Sequence, residues 1–269
     1  MSLTTQPIGV FDSGIGGLSV LQALRAELPG ERFVYVADSG HAPYGERDAA
    51  HIIERSFVIT RHLLARHQIK TLVVACNTAT AAAIHLLRQE YPELPIVGVE
   101  PALKPAAQRT RTGRVGVLAT RGTLESAKFR ALLDSLAGQA EFILQACDGL
   151  ADAIERQDAA ATQALCERYT RAIGPYGAQT GEMDALVLGC THYPFARATL
   201  QALVGAQVQL IDSGTPVARQ TRRLLEAGTS LSAESRGSVQ FYASGYPERL
   251  HAAASHWLQL EQPVELLAI

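Results

Sequence analysis

The sequence predicts an α/β protein made of two pseudosymmetric, doubly wound parallel-sheet domains facing a central cleft. Three observations carry that expectation. Short runs rich in Val, Ile and Leu alternate with longer amphipathic runs along the whole chain. The short runs are continuously apolar, as parallel strands covered by helices on both faces are. The first half of the chain also resembles the second: LVVACNT at 72–78 reads like LVLGCTH at 186–192, and IGVFDS at 8–13 reads like VGVLAT at 115–120. The two matches have nearly the same offset and both end in polar or thiol residues, which apolar strands alike by chance would not share.

The predicted strands, in order, are 8–11, 33–36, 71–75, 96–99, 115–119, 185–189 and 208–211. After the first, Leu18, Leu21, Leu24 and Leu28 fall at three- and four-residue spacings, one face of a helix that Pro29-Gly30 stops. Residues 49–67 form a longer helical pattern with Ile52, Ile53, Phe57, Leu63 and Leu64 as its buried side. This βαβα alternation is the pattern of layered α/β folds. No linker rich in Pro, Gly or Ser marks a boundary. The crossings are placed near Glu100-Pro101 and Ile211-Asp212, so that 1–99 and 212–269 make a discontinuous first domain and 100–211 the second.

Composition narrows the function. The chain has 269 residues, 47% hydrophobic and 19% charged, enough apolar side chain for two modest cores and too much for intrinsic disorder. Its 24 Lys+Arg nearly cancel 26 Asp+Glu, so no basic footprint for nucleic acid is present. The longest stretch without Asp, Glu, Lys or Arg, residues 71–87, is broken by Asn77, three threonines and His85, whereas a membrane span wants about 20 mostly apolar residues. The N-terminal MSLTTQPIGVFDSG has neither the basic nor the apolar region of a signal peptide. A cytoplasmic protein is therefore expected, with its four cysteines as reduced thiols.

In open parallel sheets the ligand sits beyond the carboxyl ends of the strands. Asp12-Ser13, residues 38–45, Cys76-Asn77-Thr78, Thr120 and Cys190-Thr191-His192 each follow a predicted strand and should converge there. Cys76 and Cys190 would then stand on opposite walls of one cleft. Two such thiols suit inversion at a carbon centre: a thiolate removes a proton from one face and a thiol returns one to the other. Free Cys titrates near pH 8.5, within reach of tuning, and Asp12 and His192 are the candidate tuning groups. Cys147 and Cys166 read as small buried apolar side chains. The turn Asp12-Ser13-Gly14-Ile15-Gly16-Gly17 opens a helix and offers backbone N–H groups to a carboxylate or phosphate. It is a poor dinucleotide fingerprint, because Ser19 stands at the third glycine position and Asp12 where pyrophosphate would approach. Thr120 and Thr123 serve as helix caps or as carboxylate ligands, and Asp212-Ser213-Gly214 as a cap.

Four motifs, GVFDSGIGGLSV (9–20), HAPYGE (41–46), ACNTAT (75–80) and LGCTHYP (188–194), resemble those of the glutamate racemases within the aspartate/glutamate racemase superfamily. The resemblance spans essentially the whole chain. It implies the same two-domain fold and interconversion of L- and D-glutamate for peptidoglycan without cofactor or metal. It further implies Cys76 and Cys190 as catalytic acid/bases, for D- and L-glutamate respectively. Substrate contacts implied in the same way are Asp12, Ser13, Tyr44, Gly45, Asn77, Thr78, Thr191 and His192. Homodimers are common in the family, so one is expected. Many members carry a glutamate near the second thiol; Glu155 is its best positional match, but Cys147-Asp148-Gly149-Leu150 departs from the Pro-rich segment common there, and Glu155 stays outside the expected site.

The competing readings are weaker. Aspartate racemization differs by one methylene of substrate, and HAPYGE and GCTHYP resemble the glutamate branch more closely. A Cys–His hydrolase would need one essential thiol rather than two. A zinc site of Cys76, Cys190 and His192 lacks paired C-x-x-C spacing. A two-lobed solute-binding protein would tolerate loss of both thiols and would normally carry an export signal.

Overall fold

A computed structural model describes residues 3–269. In chain order its elements are β1 (Ile8–Asp12), α1 (Leu18–Glu27), β2 (Arg32–Ala37), α2 (Ala49–His67), β3 (Thr71–Val74), α3 (Asn77–Glu90) and β4 (Ile96–Gly98). There follow α4 (Leu103–Arg109), β5 (Arg114–Ala119), α5 (Arg121–Glu125), α6 (Ala127–Asp134), β6 (Glu141–Ala146), α7 (Leu150–Glu155), α8 (Ala159–Ile173), β7 (Ala185–Leu188), α9 (Arg197–Val204) and β8 (Gln209–Ile211). The chain closes with α10 (Gly214–Ala227), β9 (Ser238–Ala243), α11 (Pro247–Leu258) and β10 (Val264–Leu266). It divides into two compact units, the described residues up to Val99 with Gly214–Ile269, and Glu100–Ser213. Among the described residues no helix is long and apolar enough to cross a membrane.

The first unit carries a parallel sheet ordered β10-β9-β2-β1-β3-β4. Every residue of β1 and β3 is buried, so these strands are covered on both faces. Phe11, Val34, Val36, Leu72 and Val74 point into one core with Ile52, Ile59 and Leu63 of α2 and Ala83, Ile84 and Leu87 of α3. The strand residues of opposite parity, such as Val10, Tyr35 and Val73, are equally buried. On the helical side α1 packs on α10 and α11.

The second unit has four parallel strands ordered β6-β5-β7-β8. Its order by chain position, second-first-third-fourth, repeats that of β2-β1-β3-β4. Val115, Val117, Ala185, Val187 and Ile211 form its core with Leu103, Ala106 and Phe129.

The seven anticipated strands are all present. Three more, β6, β9 and β10, are not continuous apolar runs: β6 is half-exposed along its length, β9 alternates buried with exposed, and β10 is largely exposed. The buried face of α2 also differs from expectation. It comprises Ile52, Arg55, Ser56, Ile59, Thr60 and Leu63, while Ile53, Phe57 and Leu64 are only partly covered. A charged residue occupies the inner face because it has a buried partner, Asp38. Beside the start of α10, Asp212 pairs with Arg197, and the Ser213 hydroxyl donates to the Glu100 carbonyl.

At the amino ends of the first sheet, a buried ion pair holds the layers. Lys70 Nζ lies 2.7 Å from Glu31 Oε2 and also donates to the carbonyls of Ser230 and Thr4. Glu31 Oε1 accepts from Ser232 N at 2.7 Å. Lys70→Met would strand the Glu31 carboxylate out of water and is expected to lower the unfolding free energy by about 3–5 kcal/mol. Replacing both residues by apolar ones should recover most of that loss, measured by urea denaturation of the two variants.

Candidate active site

Both units place their polar chemistry where central strands stop. In the first unit Asp12 ends β1 with no solvent exposure. Its Oδ1 accepts from Ser13 N at 2.5 Å and from Ser13 Oγ at 3.1 Å. Helix α1 begins at Leu18, behind Gly17. Gly17 must lack a side chain, since a Cβ there would stand 2.7 Å from Asp12 Cβ and 2.8 Å from the Tyr35 hydroxyl.

Cys76 follows β3, the neighbour of β1. Its extended backbone ends the strand and its side chain caps α3, with Sγ accepting from Ala79 N at 3.4 Å. The thiol donates to Ser13 Oγ at 3.9 Å. The buried set Cys76, Ser13 and Asp12 is thus one chain from thiol through hydroxyl to carboxylate. Asn77 and Thr78, both buried, form the first turn of α3, where backbone N–H groups are not used by the helix itself.

Tyr44 is buried, but its hydroxyl is committed: it donates to Asp38 Oδ2 at 2.5 Å. Burial, and then the Asp38 charge, hold the phenol well above its ordinary range. What Tyr44 and the half-buried Gly45 offer a ligand is therefore backbone and ring rather than hydroxyl. Asp38 itself receives Arg55 Nε at 3.0 Å and Nη2 at 2.9 Å. Burial alone would raise its carboxyl; the hydrogen bonds to Arg55, Ser244 and Tyr44 outweigh that and keep it below the usual carboxylate range. Asp38 is a structural charge here, not the ribose-binding acid of a dinucleotide site.

In the second unit Cys190 follows β7, and Thr191 and His192 follow it, all buried. Cys190 Sγ lies 3.8 Å from His192 Nδ1, and His192 Nε2 lies 2.6 Å from Glu155 Oε2. Glu155, at the end of α7, lies outside the site expected from sequence, yet the structure sets it against His192. Its signal was the family's positional match alone, because 37 residues separate it from His192. Burial opposes charge on His192, but its hydrogen bonds to Cys190 and Glu155 prevail and raise its pKa well above the ordinary histidine value.

The remaining thiols are inert. Cys166 is fully buried on α8, and burial pushes it up to about 11. Cys147 donates to the Gln145 carbonyl at 3.5 Å, and burial, followed by the neighbouring Cys190, raises it far above the thiol range. Thr120 caps α5, accepting from Thr123 N, and its hydroxyl meets that of Thr123 at 2.9 Å.

Each unit accordingly holds a thiol joined through one hydrogen-bonding side chain to a carboxylate, by Ser13 and Asp12 in one and by His192 and Glu155 in the other. An NMR titration of the His192 imidazole should give a midpoint above the usual value of about 6.5, and Glu155→Gln should lower it. A wild-type midpoint at or below that value would remove the charge-stabilising role of Glu155.

Comparison with known proteins agrees with this arrangement. The Asp/Glu/hydantoin racemase family model matches residues 8–221. A glutamate racemase of Ectopseudomonas mendocina is 52% identical over 254 residues, 94% of each chain. Among solved structures, glutamate racemase isoform RacE1 of Bacillus anthracis superposes with a TM-score of 0.86 at 29% identity, over 99% of this chain and 98% of that one. Escherichia coli glutamate racemase, crystallised with L-glutamate and the activator UDP-MurNAc-Ala, gives 0.81 at 31% identity, over 98% of this chain and 99% of that one. With its fold and nearly its whole length shared in this way, the chain belongs to the Asp/Glu/hydantoin racemase family.

Proposed function

We propose that the protein interconverts L- and D-glutamate by two-base proton transfer, with Cys76 and Cys190 as the acid/base pair. The observation that supports this most is the repetition described above: each unit ends its third strand in a buried cysteine with its own hydrogen-bonded carboxylate. Racemization needs two groups of comparable acidity acting on opposite faces of one carbon. In each turnover a thiolate sulfur takes the α-proton, the electron pair stays on Cα, and the other thiol delivers a proton from the opposite side. The substrate is neither oxidised nor reduced. By resemblance to the family, Cys76 removes the proton from D-glutamate and Cys190 from L-glutamate.

A thiolate is a weak base toward an amino-acid α-carbon, so the surroundings must stabilise the carbanion-like transition state. The α3 N-terminus supplies fixed N–H groups beside Cys76, and the His192–Glu155 pair supplies positive charge beside Cys190. The buried Asp12 carboxylate suits the substrate ammonium. Ser13, Tyr44, Gly45, Asn77, Thr78 and Thr191 are proposed to hold the remaining substrate groups. The product fits supply of D-glutamate to peptidoglycan. A cytoplasmic location suits a site whose two thiols must stay reduced, and a homodimer is expected from the family; sedimentation equilibrium tests the latter.

Incubation with either glutamate enantiomer in D2O should show α-proton exchange by NMR and loss of optical activity by circular dichroism. Turnover of aspartate in place of glutamate would reassign the substrate. Cys76→Ala and Cys190→Ala should each reduce racemization by at least about 10²–10⁴-fold, the usual worth of a positioned acid or base. Full activity in either variant refutes the two-thiol mechanism.

A further inference from the structure

The loop that leads from Asp38 to Tyr44 and Gly45 is held from the far side by a segment more than two hundred residues later in the chain. Strands β2 and β9 are paired up to Ala37 and Ala243. Their pairing does not stop there but continues into the two loops. Ser244 N donates to the Ala37 carbonyl at 3.0 Å, Gly40 N donates to Ser244 Oγ at 3.1 Å, and Tyr246 N donates to Ser39 Oγ at 3.1 Å. The Ser244 hydroxyl also helps to hold the Asp38 carboxyl below the usual carboxylate range. Each loop thus offers one serine hydroxyl to a backbone N–H of the other.

The approach is close enough to dictate residue types. A Cβ on Gly40 would stand 2.8 Å from the Ser244 carbonyl oxygen, and one on Gly245 would stand 2.5 Å from Gly40 N and 2.9 Å from the Ser39 carbonyl carbon. These obstacles are backbone atoms, which cannot swing aside as a side-chain end would. The Asp38–Tyr44 segment is tied at its ends by the Asp38 carboxylate, which takes the Tyr44 hydroxyl, and by His41 N on the Asp38 carbonyl at 2.9 Å. Its outer part, Ser39-Gly40, has Ser244 and Tyr246 as its cross-loop partners.

We propose that Ser244 is a positioning residue for the reaction: its hydroxyl accepts from Gly40 N and so fixes the loop that sets where the Tyr44-Gly45 backbone meets the substrate. This rests on the racemase reading, in which that backbone contacts glutamate. Contacts of this kind act on substrate before and during proton transfer alike, so weakening them raises KM and leaves kcat nearly unchanged.

The test compares wild type, Ser244→Ala and Ser244→Thr. Two readouts serve: glutamate racemization kinetics, and amide hydrogen exchange at Gly40 followed by NMR. Ser244→Ala should raise KM about tenfold, as loss of one hydrogen bond would, with kcat within about twofold of wild type. Gly40 exchange should quicken by a similar factor. Ser244→Thr keeps the hydroxyl and should hold both quantities near wild type. Wild-type KM and wild-type Gly40 exchange in Ser244→Ala overturn the proposal, as does equal impairment of the threonine variant. If the wild-type protein does not turn over glutamate, the racemase reading fails on its own, and the Gly40 exchange rates still decide whether Ser244 holds the loop.

Discussion

A parallel strand covered on both faces has no side-chain position open to polar chemistry except where it ends. Strands β1, β3, β5 and β7 are buried along essentially their whole length, and this constraint organises the molecule. Their interiors accept Val, Leu, Phe and Gly. The polar side chains that matter, Asp12, Cys76, Thr120 and Cys190, stand at the last residue or within two residues of a carboxyl end. The amino ends, by contrast, carry locking groups such as Lys70 with Glu31, and Asp184 with Thr110, Thr112 and the Arg111 amide. Chemistry and stability are thereby assigned to opposite ends of the same strands.

The two units solve one problem with different materials. A buried thiol used in proton transfer needs a partner that accepts or balances charge. Cys76 has a helix N-terminus and the Ser13–Asp12 pair. Cys190 has His192, whose proton is secured by Glu155, so its support is itself a titrating group. Resemblance between the two halves therefore ends at strand order and thiol position. The surrounding hydrogen bonds belong to each unit separately.

Asp38 shows how a charge can be kept out of the chemistry. It stands at a carboxyl end, as a catalytic acid would, yet Arg55 and Tyr44 occupy its oxygens. Arg55 comes from the inner face of α2, the position that hydrophobic periodicity assigns to an apolar residue. A local rule is broken there because a tertiary partner exists, which is the usual reason for such exceptions.

The central strands, the helix begun at Leu18 and the placement of Cys76 and Cys190 just past strand ends were determined by sequence alone. Local signals suffice for these: unbroken apolar runs, leucines at helical spacing, and a thiol followed by Asn-Thr or Thr-His just past a strand. The half-exposed strands β6, β9 and β10 were not legible, because an edge or an alternating strand lacks the continuous apolar run of a covered one. Tertiary structure decided Glu155 on His192, Arg55 on Asp38, and Ser244 on Gly40. Each pairs residues distant in the chain through a polar contact, and neither member betrays the other by its type or its neighbours. Periodicity records which face of an element is covered, whereas the partner of a buried polar atom is set only when the elements pack.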